Sequence, residues 1–80
     1  MVQHYSDTRT SDGRVRFLLD GKAAVLLTEG PGWQQQDQFA SVHDAVLGLA
    51  LISRVPQPLY DQALDDLYHQ LYFFGQPGAA

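Results

Sequence analysis

The stretch RVRFLLDGKAAVLLT, residues 14–28, constrains the fold more than any other part of this 80-residue chain. Two apolar runs flank Asp20-Gly21, a dipeptide suited to a two-residue hairpin turn, because Gly accepts positive φ freely and Asp tolerates it. With Asp20-Gly21 as the turn, Phe17 faces Ala24 and Val15 faces Leu26. Val15, Phe17, Leu19, Ala24 and Leu26 then share one face, while Arg14 and Arg16 point the other way. Two strands alone are marginal in water. Helices, a third strand drawn from residues 2–10, or a second subunit must complete the layer.

After the hairpin, Gly30-Pro31-Gly32 stops the second strand, and WQQQDQF (33–39) reads as polar chain leading to a helix. Ser41 is the expected N-cap, with Asp44 three residues later placing negative charge in the first turn. This first helix is expected to run to Arg54, and Val55-Pro56 to force an extended exit. A second helix is expected from Pro58, suited to a first helical position, to Gly75, a natural C′ residue. The expected architecture is α+β: an antiparallel β-hairpin, with residues 2–10 as a candidate third strand, packed in two layers against two C-terminal α-helices. One small domain spans 1–80. Residues 1–12 are either that third strand or flexible, and 76–80 form a loose tail.

A chain this short has little interior, and it contains no cysteine to staple it. The first helix matters here. Val42, Ala45, Val46, Leu49 and Ser53 share a core face, yet Leu47 and Leu51 point well away from it. One sheet and one other helix do not readily cover those two leucines, so they are the expected seam of a homodimer. On the second helix, Tyr60, Ala63, Leu64, Leu67, Leu71 and Phe74 form the expected core stripe. Asp61, Asp65, Tyr68 and Tyr72 make a neighbouring stripe. Gln62, Asp66, His69 and Phe73 lie further round, away from the core. Tyr68, Tyr72, Phe73, Asp61 and Asp65 are therefore the expected docking strip for a larger protein partner, since tyrosine offers a large rigid contact with a hydrogen-bonding tip.

Charge separates the alternatives. The net charge is −4. Residues 1–27 carry four cations against three carboxylates, while residues 28–80 carry only Arg54 against six. Phosphate binding favours a basic stripe, so nucleic-acid binding through Arg9, Arg14, Arg16 and Lys22 is the weaker alternative. Another is a small-molecule or enzymatic pocket between hairpin and helices. Reactive motifs are sparse. His4, His43 and His69 lack metal-ligand spacing, and Ser41, His43 and Asp44 diverge too far on a helix to act as a triad. Asp61 and Asp65 near a helix start suit the helix dipole. Gly30-Pro31-Gly32 is too short to cradle phosphate. Without an apolar leader or a membrane-length apolar run, the expected protein is cytoplasmic. The expectation is a non-catalytic regulator, adaptor or inhibitor that acts without cofactor or metal.

Overall fold

The computed structural model describes the backbone of residues 2–74 and the side chains of residues 3–70. Four strands, β1 (Val2–Thr10), β2 (Gly13–Asp20), β3 (Ala23–Gly30) and β4 (Trp33–Phe39), form an antiparallel meander in the order β1-β2-β3-β4. Two helices follow, α1 (Val42–Ala50) and α2 (Gln57–Phe74). Both pack on one face of the sheet, α2 chiefly over β1 and β2, and α1 over β3 and β4. The α+β class matches the sequence. The expected hairpin with a candidate third strand becomes a four-stranded sheet.

The added strand is the segment read as polar chain, and its turn explains the correction. Pro31 and Gly32 occupy the two loop positions between the paired residues Gly30 and Trp33, and Gly32 has φ 77°. Proline followed by a positive-φ residue is the type II turn pattern, so the prolyl segment ends β3 by reversing it. WQQQDQF has no apolar alternation because β4 is an edge strand that buries little.

The β2–β3 turn lies one residue later than expected. Asp20 pairs with Ala23, and Gly21-Lys22 forms the loop, with Gly21 at φ 65°. Gly at the first loop position suits a type II′ turn. Phe17 therefore faces Leu26, and Leu19 faces Ala24. This moves the pairing by two residues, which leaves each side chain on its expected face. Val15, Phe17, Ala24 and Leu26 are fully buried and Leu19 partly so. β1 confirms the candidate third strand, with its register interrupted by a bulge between His4 and Ser6. The expected tail, 76–80, and the expected C′ residue Gly75 lie outside the described residues.

Ser41 caps α1 as its sequence implies, its Oγ accepting from the Asp44 N–H at 3.1 Å. The helix ends at Ala50, four residues before the expected Arg54. Leu51 and Ile52 donate to Gly48 and Leu49 in tight terminal turns, and Arg54 instead lies 5.8 Å over the Trp33 ring. Ala45 and Leu49 are the buried residues of α1, Val42 and Val46 pack at the margin, and Ser53 is exposed beyond the helix. On α2 the buried residues are Leu59, Ala63 and Leu67, with Tyr60 and Leu64 at the margin. Leu59 thus joins the expected core stripe, while the Leu71 and Phe74 side chains lie outside the described residues.

Asp66 corrects another expectation. Rather than lying away from the core, it reaches β1, where it accepts from the Thr8 hydroxyl at 2.6 Å and from Gln62 at 3.0 Å. Thr8 is 2% exposed, so this bond fixes α2 against the sheet from the side opposite Tyr60 and Leu64. Removing one partner of such a bond strands the other.

Gly48 is also more than a break in an apolar helix. A Cβ there would collide with the Phe39 ring, so the missing side chain lets α1 lie against β4. Gly48→Ala gains about 0.5–1 kcal/mol of helix propensity but incurs an overpacking cost of about 1–3 kcal/mol. We expect net destabilisation, read as a lower denaturation midpoint. Thr8→Val leaves the half-buried Asp66 short of a donor and is expected to cost about 1–3 kcal/mol in the same assay.

Candidate protein-docking surfaces

The helices cover one side of the sheet, and three of its outer surfaces are candidates for docking: the open sheet face, the outer face of the helical layer and the β4 edge. Alternation places Asp7, Arg9, Arg14, Arg16, Leu18, Val25, Leu27, Glu29 and the side chains of Gln34, Gln36 and Gln38 on the open face. Leu18 is only 8% exposed and lies outside the main core cluster. It is cross-strand from Val25, so this face has a small apolar centre of its own.

Arg14 and Arg16 on that face are engaged by carboxylates of neighbouring strands. Arg14 donates to both oxygens of Asp7, at 2.9 and 2.7 Å. Arg14 and Arg16 also approach Glu29, at 4.0 and 3.9 Å. Hydrogen bonding by the Arg14 guanidinium holds the Asp7 carboxyl below its ordinary value of 3.8, against a smaller upward push from burial; the positive charges of Arg14, Arg9 and Arg16 add to the lowering. The same hydrogen bond raises Arg14 above its ordinary value. A phosphate backbone would have to compete with these internal partners.

On the helical layer, Leu47 and Leu51 project as the sequence implies, 55% and 84% exposed. The Trp33 end of the sheet does not wrap them. Leu51 borders a cleft between the end of α1 and β4, lined also by Gly48, Ile52, Phe39, Gln35 and Asp37. On α2, Asp61, Asp65 and Tyr68 form a single exposed stripe, and Tyr68 is 53% exposed. Asp61 accepts from Gln57 at 2.7 Å. The Tyr72 and Phe73 side chains lie outside the described residues. Leu47 lies on α1 and Leu51 is its C-cap, while the acidic-aromatic stripe lies on α2, so these are two separate surfaces.

The space between hairpin and helices, the alternative location for a pocket, is filled by Phe17, Leu26, Leu49, Leu59 and Leu67. A separate surface cleft beside β1 holds Ser6, Asp7, Asp66, His69 and Gln70. There the Asp66 oxygens already accept from Thr8 and Gln62. Among the described residues, no group of three or more His, Asp or Glu side chains is placed to hold a metal ion. Also among them, no helix is long and apolar enough to cross a membrane.

The β4 edge was missed in the sequence because its interior is glutamine. Its signal was the Pro31-Gly32 turn followed by aromatics at both ends of one seven-residue segment, Trp33 and Phe39.

The Asp7–Arg14 pair gives a pH test. The folded-state pKa of Asp7 is depressed, so its stabilising contribution is present above 3.8 and is lost as pH falls through the lower folded value. Asp7→Asn is expected to be less stable than the parent at neutral pH, with the gap closing below about pH 4. Denaturant titrations at pH 7 and pH 3 measure it. Comparison of the chain with protein-family models, with curated proteins and with solved structures finds no match.

Proposed function

We propose that this chain is a small, non-catalytic protein-interaction module of the cytoplasm, a homodimer that acts as a regulator, adaptor or inhibitor of a larger protein. The observation that carries the reading is the exposure of Leu47 and Leu51, which project from α1 in a chain whose other large aliphatic side chains, among the described residues, are at least half covered. Isolated exposed leucines are common on protein surfaces, but Leu47 in the last turn of α1 and Leu51 at its C-cap stand four positions apart at one helix end. These leucines form the dimer seam. The exposed stripe of Asp61, Asp65 and Tyr68 receives the larger partner, with Tyr72 and Phe73 extending it along the sequence. An acidic-aromatic stripe suits a partner surface carrying Lys or Arg around an apolar socket, because charge complementarity steers encounter while the ring supplies contact area.

The internal pairing of Arg14 and Arg16 supports protein rather than nucleic acid as the partner. The filled space beneath the helices supports binding over catalysis in a buried pocket.

Leu51→Glu tests the seam. A carboxylate at a residue already 84% exposed is tolerated by the monomer, so we expect a folded chain with self-association weakened at least tenfold in sedimentation velocity, about 1.4 kcal/mol or more. Unchanged self-association would remove Leu51 from the seam. For the partner stripe, affinity capture with Tyr68→Ala/Asp65→Lys is expected to lose the protein retained by the parent chain, with the circular dichroism spectrum preserved. Equal retention by both would contradict the stripe.

A further inference from the structure

Edge strands expose unpaired backbone groups, and proteins blunt them with bulges, charges or proline. β1 follows that rule: its register breaks between His4 and Ser6, and it carries Asp7 and Arg9. β4 does not. It pairs with β3 without a break, has no internal proline or basic residue, and has Asp37 as its one charge.

The two-residue loop makes Gly30↔Trp33 a hydrogen-bonded pair. By alternation, Gln35, Asp37 and Phe39 also direct their backbone groups toward β3. Gln34, Gln36 and Gln38 direct theirs to the free edge. A second strand must place hydrogen-bonding residues opposite these three.

The sequence of β4 fits itself in that role. Reversed about Gln36, WQQQDQF sets Trp33 against Phe39, Gln34 against Gln38, Gln35 against Asp37, and Gln36 against its own copy. This antiparallel register alone matches all three outward residues with outward residues, for about six backbone hydrogen bonds in all. The pairs on the helix-bearing face are the closely spaced, non-hydrogen-bonded kind, which brings the aromatics into contact. The charge pattern also agrees: Asp37 meets a glutamine amide rather than its own copy. Gln35 Nε2 already donates to Asp37 Oδ2 within the strand, at 2.7 Å, so the two side chains are chemically matched.

We infer that the β4 edge binds a second copy of this chain, in an antiparallel pairing centred on Gln36 that joins two four-stranded sheets into one of eight. The inference rests on the self-association proposed above and specifies its geometry. The two-fold axis is then perpendicular to the sheet, so both helical layers lie on one side. With strands about 4.8 Å apart and α1 over β3 and β4, the two α1 axes are roughly 10–14 Å apart. Helices in direct contact lie about 8–10 Å apart. Leu51, on the flank of α1 that borders the β4 cleft, is placed to help fill the remaining space.

The chain has no native cysteine, so single cysteines report the register. At the axis, the two copies of residue 36 have Cα atoms about 5.5 Å apart, within the disulfide range. Copies of residue 34 are offset by four residues, roughly 14 Å. Mild oxidation of Gln36→Cys is expected to yield a covalent dimer, and Gln34→Cys to remain monomeric on the same gel. Gln36→Pro removes an outward N–H, leaving the β3 ladder intact, and is expected to weaken self-association at least tenfold in sedimentation. Should that variant fail to fold, the cysteine pair decides alone. A parent chain that is monomeric at every concentration overturns the inference and the dimer together. A dimer that Leu51→Glu dissolves, with no cross-link through residue 36, overturns only the β4 register and leaves a helix-mediated seam.

Discussion

Phe17 and Leu26 face each other across β2 and β3 and are buried on the side covered by both helices. Leu49 of α1 and Leu59 and Leu67 of α2 complete this core. Burying side chains of this size contributes on the order of 1.5–3 kcal/mol each before conformational entropy is subtracted. The arrangement uses the available helices on one face. The opposite sheet face is held by the cross-strand partners of Leu18 and by the Asp7–Arg14–Glu29–Arg16 charges. Among the described residues, the β4 edge and the outer side of α1 are left open.

Where a residue type determined its own geometry, the sequence was legible. Ser41 at a helix start, glycine in the β2–β3 turn, and the alternating apolar residues of β2 and β3 all took their expected roles. The turn frame was harder, because Asp20-Gly21 and Gly21-Lys22 both place the glycine in the loop and leave side-chain facing unchanged. β4 was not legible from hydropathy. Its central residues satisfy backbone pairing without supplying apolar burial, so the periodicity that identified β2 was absent. The end of α1 falls earlier than its apolar run implies: Leu51 and Ile52 close tight terminal turns, and Arg54 lies beyond them over Trp33.

The candidate site was legible in part. Leu47, Leu51 and the Asp61–Asp65–Tyr68 stripe are exposed, as helical periodicity implied. Asp66 was harder to place because a polar side chain at the flank of a helix can reach either solvent or a buried hydroxyl. Its bond to Thr8 required the position of β1. The missed edge links these observations, since Phe39 and Leu51 border the same cleft beside β4. In the proposed association, backbone pairing would supply direction and nearby apolar side chains would supply burial.

Amide exchange measured across a concentration series tests this account most directly, because each β4 amide reports its own direction. Gln35 and Asp37 should be protected at every concentration by β3. Gln34, Gln36 and Gln38 should exchange rapidly in dilute solution and become protected together as concentration rises. Fast exchange at those three positions throughout, including in concentrated solution, would contradict association through this edge.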